Sequence, residues 1–353
     1  MKVSIIGGGG LVGSMTAFAL QCANIVSDIC VIDANNDLAL GQATDLLHGA
    51  SLMGDQRIKA GSMEDIPTSN VIVVTAGLRR KPDESRLDLI NRNVDLYLTI
   101  LDDIKSAGLK QSSYLVVVSN PVDVLTFLSV QRSGLPWERV IGLGTQLDTA
   151  RFRGYISQRL DVPSSQVNAM ILGEHGDSMI PIWSSATVSG LPLEQWPGCT
   201  PTLQREVFEE TKKAGATLLK LKGGSGFAVG LSIADVVHSL LLDTRSVLPV
   251  STLQRGLYGV SDVCFSVPTV VGCGGVRQQV ELALTAKERM GLQHSADVLK
   301  KTIKQVEDRI GSVRQQFTKA VPQTNGQSNG TPTYTTSSYS NGRVIPRSAW
   351  QQK

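Results

Sequence analysis

Short apolar runs that alternate with longer amphipathic stretches over the first 145 residues constrain this chain most tightly. Residues 3–6, 29–32, 71–74, 115–118 and 140–143 are mostly aliphatic and β-branched, too short for stable helices, with Ser4 their only polar side chain. Such runs predict strands buried on both faces. Between them, residues 11–23, 38–52, 86–107 and 122–132 carry helical patterns. Strands alternating with helices require right-handed crossovers, and hence a doubly wound parallel sheet.

The first turn of that pattern carries chemistry. Gly8-Gly9-Gly10-Leu11-Val12-Gly13 fits GxGxxG directly after a strand and at the opening of a helix. Glycines there let backbone amides approach a pyrophosphate at the positive helix N-terminus. The second strand ends at Asp33, about 20 residues past Gly13, where an acid binds ribose hydroxyls and repels a 2′-phosphate. The expectation is a Rossmann-type domain with Gly8, Gly10, Gly13 and Asp33 holding NAD. FAD and nucleotide-sugar proteins share this segment.

From Thr145 the pattern changes to long helices and an antiparallel portion. Residues 256–260 and 263–268 read as hairpin strands, and 286–311 as a charged final helix. The α/β reading therefore has three parts: a Rossmann doubly wound parallel sheet over 1–144, a second α+β substrate domain over 145–314, and a tail over 315–353. The tail is rich in Gln, Asn, Gly, Ser, Thr and Pro, and is expected to be disordered because it has too little apolar surface to offset ordering.

Composition excludes several classes. Hydrophobic content of 41% with 18% charge is that of a globular protein, and no apolar run approaches the roughly 18 residues of a membrane span. The tail holds four basic residues and no acid, which leaves the rest of the chain near neutral despite a net charge of +3. A nucleic-acid partner is not expected. Five scattered cysteines without CxxC spacing argue against a disulfide framework or a metal site, and for a reducing cytoplasm.

Of the four histidines, His175 stands apart, in the polar, glycine-flanked loop Leu172-Gly173-Glu174-His175-Gly176-Asp177-Ser178. His48 and His238 lie within helical patterns and His294 in a charged surface stretch. A histidine that exchanges protons with a ligand needs a loop allowing close approach. Asp148 and Arg151, three apart, share one face of a helix; alone, such a pair also describes a surface salt bridge.

Taken together, these motifs resemble the lactate/malate dehydrogenase family over residues 1–314. The resemblance rests on the glycine turn, Thr75-Ala76-Gly77, Ser119-Asn120-Pro121-Val122-Asp123, Leu147-Asp148-Thr149-Ala150-Arg151, Gly173-Glu174-His175-Gly176-Asp177 and Lys220-Leu221-Lys222-Gly223, in that order. It implies an NAD-dependent 2-hydroxy-acid dehydrogenase, without a metal, acting on a small 2-keto or 2-hydroxy acid as a homo-oligomer, dimer or tetramer. His175 is then the acid–base residue, Asp148 orients it, and Arg151 binds the C1 carboxylate. Asn120 positions substrate and nicotinamide, Thr75, Ala76 and Gly77 line the cofactor, and Arg86 polarises the carbonyl beneath a lid over 78–85.

Substrate choice turns on Arg80. In the family an arginine there resembles malate enzymes, since it pairs the second carboxylate of oxaloacetate, whereas glutamine resembles lactate enzymes. Malate dehydrogenase is the first reading. The stretches 84–89 and 219–231, with Ser225 where lactate enzymes carry threonine beside the substrate, look more like lactate dehydrogenase, the alternative. An NAD-dependent glycosidase would need a Cys/His-held metal, and a non-catalytic NAD-binding protein would have lost polar groups that are present here.

Overall fold

Each apolar run pairs with its neighbours in a single sheet. The computed structural model describes residues 1–78 and 84–319, with backbone alone at Arg86 and from residue 312. Its first half runs β1 (Lys2–Ile6), α1 (Leu11–Ala23), β2 (Asp28–Ile32), α2 (Asn36–Ala50), β3 (Arg57–Ala60), β4 (Val71–Val74), α3 (Arg86–Ser106), β5 (Tyr114–Val117), α4 (Val122–Arg132) and β6 (Val140–Gly142). These strands are parallel in the order β6-β5-β4-β1-β2-β3. The chain moves outward from β1 to β3 and then crosses back to β4. Ile6 therefore lies opposite both Ile32 and Val74, and the glycine turn opens at the switch point where such sheets bind ligands.

Alternation along the strands builds two cores. Ile6, Ile72, Val74, Leu115 and Val117 pack against Tyr97, Ile100 and Leu101 of α3 and against α4. Val3, Ile5, Val31, Val73 and Ile141 face the other way, onto Ala17 and Leu20 of α1.

The second half comprises α5 (Gln146–Leu160), β7 (Val167–Leu172), β8 (Ile180–Val188), β9 (Leu191–Pro192), α6 (Pro201–Lys222), α7 (Phe227–Leu242), β10 (Ser246–Arg255), β11 (Ser261–Gly272), β12 (Gly275–Gln279) and α8 (Ala286–Lys319). Strands β10 to β12 are antiparallel and extend the parallel sheet beyond β6 through Ser251 opposite Gly142. Strands β7 to β9 form a separate sheet. Ile233, Val236 and Val237 of α7 complete the α1 core, while Phe152 and Ile156 of α5 pack on Ala169 and Ile171 of β7 and on Val207 of α6.

Two expectations need correction. Residues 256–260 form no strand; they are the turn between β10 and β11, with Tyr258 at φ 55° and a single 3₁₀ turn over Leu257–Gly259. The final helix continues past Gly311 to Lys319, so the start of the expected tail is helical, in keeping with the helix-forming Arg314, Gln315 and Gln316. Residues 320–353 lie outside the described residues.

Candidate active site

The loops at the carboxyl ends of β1, β4, β5 and β7 supply most of the sequence-predicted groups. After β1, the amides of Gly7 and Gly8 both donate to the Ile32 carbonyl at 2.9 Å, which folds the chain tightly over β2. Gly7 adopts φ +82°, and a Cβ there would lie 2.6 Å from the Ala76 amide nitrogen. A Cβ on Gly13 would meet the Gly7 carbonyl at 2.3 Å. Only glycine permits this packing of turn, helix and β4 loop. Gly10 is the N-cap of α1, with no capping side chain and no acid in the first helical turn. The first-turn amides thus present positive charge with neither a capping side chain nor a first-turn acid to neutralise it.

Asp33 receives the Gly9 amide on Oδ2 and the Asn35 amide on Oδ1, each at 3.0 Å, while staying half-exposed beside the turn. The Thr75 hydroxyl bonds the carbonyls of Ile6 and Gly7 at 3.0 and 3.1 Å, and the Ser119 hydroxyl bonds that of Ala76 at 2.5 Å. Thr75 is therefore tied to the turn, and Ala76 to both the turn and the β5 loop. An uncapped helix start, a cradle that any Cβ would fill and an acid at the end of β2 fit a dinucleotide. Gly7, the most constrained residue of the turn, falls just outside the sequence motif; four consecutive glycines concealed which one adopts positive φ.

His175, the expected proton-transfer group, follows β7 and is bonded to the first turn of α5. Gly144 at φ +55° brings the start of α5 so close to β10 and β11 that a Cβ would meet the Ser266 hydroxyl at 2.2 Å. The Thr145 amide donates to that hydroxyl at 2.9 Å, and the Thr145 hydroxyl donates to the Ile171 carbonyl of β7 at 2.5 Å. These bonds fix α5 against the His175 loop. Asp148, 1% exposed, then bridges two basic side chains: its Oδ2 lies 2.5 Å from His175 Nδ1 and its Oδ1 3.0 Å from Arg151 Nη1. The bond at Nδ1 leaves Nε2 as the nitrogen for a ligand. Burial alone would raise the Asp148 carboxyl, but His175 and Arg151 overcome it and hold the group below the ordinary range. Burial likewise disfavours imidazolium, yet the Asp148 charge and hydrogen bond win and raise the His175 pKa above 6.5.

Arg151 is nearly buried, at 12% exposure, and its Nε has no protein hydrogen-bond partner. A buried guanidinium donor left open beside a histidine can receive an anion.

The other sequence-predicted residues lie on other elements. Asn120 is exposed at the end of β5, and its Oδ1 accepts from the Val122 amide at 3.3 Å. Ser225 lies in the α6–α7 turn, which docks on α1: Cβ atoms on Gly224 and Gly226 would touch Leu11. Arg86 is the first residue of α3, whose N-cap Ser85 accepts from the Asp88 amide at 3.1 Å. Arg80, with most of the expected lid, lies outside the described residues. Glu84 at the lid's far end pairs with Arg92 at 2.5 Å.

Sequence reasoning missed the groups that hold the histidine loop. Gly173 exchanges two 2.9 Å backbone bonds with Ser266, the Glu174 amide donates to the Ser295 hydroxyl at 2.7 Å, and the His175 amide donates to Asp123 Oδ2 at 2.8 Å. Only Asp123 carried a signal, as the acid closing the Asn120–Pro121 motif.

A dinucleotide cradle and an Asp-bridged His–Arg pair are the parts of a dehydrogenase-type centre. Residues 1–142 match the lactate/malate dehydrogenase NAD binding domain, and residues 145–310 match the lactate/malate dehydrogenase alpha/beta C-terminal domain. The chain belongs to the lactate/malate dehydrogenase family and is an NAD-dependent oxidoreductase acting on a 2-hydroxy acid. It is 38% identical over 307 residues to L-lactate dehydrogenase 1 of Clostridium acetobutylicum, covering 86% of this chain and 97% of that one. With L-lactate dehydrogenase of a Synechococcus strain it shares 40% identity over 304 residues, covering 86% and 98%. A ligand-bound crystal structure of the minor L-lactate dehydrogenase of Enterococcus mundtii superposes with TM-score 0.82 at 35% identity, covering 86% and 98%. Among the described residues no helix is long and apolar enough to cross a membrane.

Proposed function

We propose that this protein is an L-lactate dehydrogenase, interconverting pyruvate and lactate. The observation that carries the chemistry is Asp148 bridging His175 and Arg151. Bound NAD supplies the hydride acceptor, and NADH the donor. Arg151 binds the substrate carboxylate through its open nitrogens, which fixes the C2 oxygen toward His175. His175 gives its Nε2 proton to that oxygen in reduction and removes it in oxidation, while Asp148 holds the tautomer and stabilises the imidazolium. Asn120 orients substrate and nicotinamide from the β5 loop, and Arg86 stabilises charge developing on the carbonyl oxygen. Ser225 borders the substrate side chain. Gly8, Gly10, Gly13, Asp33 and the Thr75–Ala76–Gly77 backbone hold the dinucleotide.

The choice of lactate over malate is supported by the relatives, which are named L-lactate dehydrogenases and are matched over nearly their whole length. It reverses the order suggested by Arg80. Malate stands as the second reading on that residue alone, because an arginine is the side chain that would pair the second carboxylate of oxaloacetate. NADH oxidation with pyruvate and oxaloacetate at equal concentration separates the two. The expected result is a pyruvate preference of at least about tenfold in kcat/KM, which one methyl-sized or charge mismatch easily supplies. An oxaloacetate preference that Arg80→Gln reverses would return the assignment to malate.

We also infer a homo-oligomer. Phe18 on α1, Leu40 and Leu47 on α2, and Phe227 and Leu231 on α7 are large apolar side chains left exposed on adjoining helices. Apolar surface of this kind marks an interface. Sedimentation at micromolar concentration should give a dimer or tetramer mass, and a monomer there would sink the inference.

A further inference from the structure

Asp123 has no part in the scheme above, yet it is built into the site. It lies in the first turn of α4, is 2% exposed, and receives the His175 backbone amide on Oδ2 at 2.8 Å. Its other oxygen, Oδ1, is buried without a hydrogen-bond partner. An acid in a first helical turn is ordinarily a solvated answer to the helix dipole. A buried one, bonded across 52 positions of sequence to the residue that transfers the proton, has a more specific consequence. The carboxyl and the imidazole belong to one residue's surroundings, with Asp148 on the ring and Asp123 on the main chain.

On the reading of His175 as the proton-transfer group, we propose that Asp123 is its second positioning carboxyl, which seats the loop through the His175 amide and adds negative charge that sustains the imidazolium. The groups bearing on Asp123 from each packed element are few. His175 and Glu174 come from the loop after β7, the Ser251 hydroxyl from β10 and the Cys264 thiol from β11. Beyond the imidazole stand Asp148 and Arg151 of α5. Burial pushes the Asp123 carboxyl up to about 7, against the lowering influence of Ser251 and of the His175 amide and ring. Its ionisation is therefore coupled to that of His175: an imidazolium favours the carboxylate, and the carboxylate favours imidazolium.

The sign follows. Reduction requires imidazolium, so it fails as pH rises through the His175 pKa. Removal of the Asp123 charge lowers that pKa and moves the failure to lower pH. Asp123→Asn keeps an oxygen for the His175 amide but loses the charge; Asp123→Ala loses both. Two readouts on the full chain test this. One is the pH profile of kcat/KM for reduction of whichever 2-keto acid the unmodified protein turns over. The other is the NMR titration of the His175 imidazole in the ligand-free protein, assigned by its loss in His175→Asn.

In Asp123→Asn both the basic limb and the imidazole pKa are expected to fall by about half a unit to one unit. In Asp123→Ala, kcat should fall by a further factor of about ten or more, with KM within about threefold, since the loop that aims the imidazole is released. An unmoved imidazole pKa in Asp123→Asn overturns the electrostatic role. A kcat in Asp123→Ala equal to that of Asp123→Asn overturns the seating role. If Asp123→Ala does not fold, the Asp123→Asn titration decides alone. Absence of turnover of any 2-keto acid by the unmodified protein would instead refute the lactate reading and leave the titration to judge Asp123.

Discussion

His175→Asn is expected to lower kcat/KM for pyruvate reduction by about 10²–10⁴-fold, the range that loss of a positioned acid–base group produces. At about 1.36 kcal/mol per decade this is roughly 3–5 kcal/mol of transition-state stabilisation. Asparagine can still accept and donate within the loop, and Asp148 keeps its 3.0 Å bond to Arg151, so the variant should fold. NADH affinity, read by fluorescence, should stay within about twofold because the dinucleotide cradle lies on β1 and β4. The pH dependence gives a second check. In the unmodified protein, reduction is expected to fall and 2-hydroxy-acid oxidation to rise as pH passes through the raised pKa of His175. Both limbs should vanish in His175→Asn. A loss of less than about tenfold with the limbs intact would transfer proton exchange to another group.

His175, the proposed proton-transfer residue, was legible because chain-local rules pointed to it: a glycine on either side of a polar loop, while its three counterparts sit in helices. The i,i+3 pair Asp148 and Arg151 was legible as one helix face, but not the bridging of a third residue 27 positions away. Fold signals behaved likewise. Helices α1 and α4 end where their apolar periodicity ends. Strand β3 escaped notice because it is a four-residue edge strand, Arg57-Ile58-Lys59-Ala60, in which only Ile58 is buried. Charged edge strands of this kind resist pairing with other chains, and their sequences read as loop.

In the antiparallel extension, residues 263–268 were legible and lie within β11, whereas β10 was missed. Pro249 and Pro268 sit opposite one another inside β10 and β11, where prolines would ordinarily argue against strands. They are tolerated because the outer ladders are incomplete there. Strand β10 meets β6 only at Ser251, and β12 pairs with β11 only from Thr269 onward. The seating of the His175 loop by Ser266 of β11 and Ser295 of α8 is likewise a property of the assembled fold. Each is one serine among many, without local signal.

Arg151→Lys should cost about 10²–10³-fold in kcat/KM, mostly through KM for the keto acid. Lysine keeps the charge but not the planar fork that makes two parallel bonds to a carboxylate. Each charge-assisted bond is worth roughly 1.5–3 kcal/mol, so loss of one and distortion of the other accounts for the range. Arg151→Met goes further, because Asp148 then keeps only His175 as partner at 1% exposure. The charge of Arg151 also lowers the His175 pKa, so its removal should move the basic limb of reduction upward. That is opposite in sign to Asp123→Asn, where a negative charge is lost. The two variants, measured over the same pH range, separate electrostatic control of the imidazole from loss of structure, which would shift both limbs alike. A basic limb in Arg151→Met that stays in place, with KM unchanged, would mean that the guanidinium only braces Asp148 and that the substrate carboxylate is bound elsewhere.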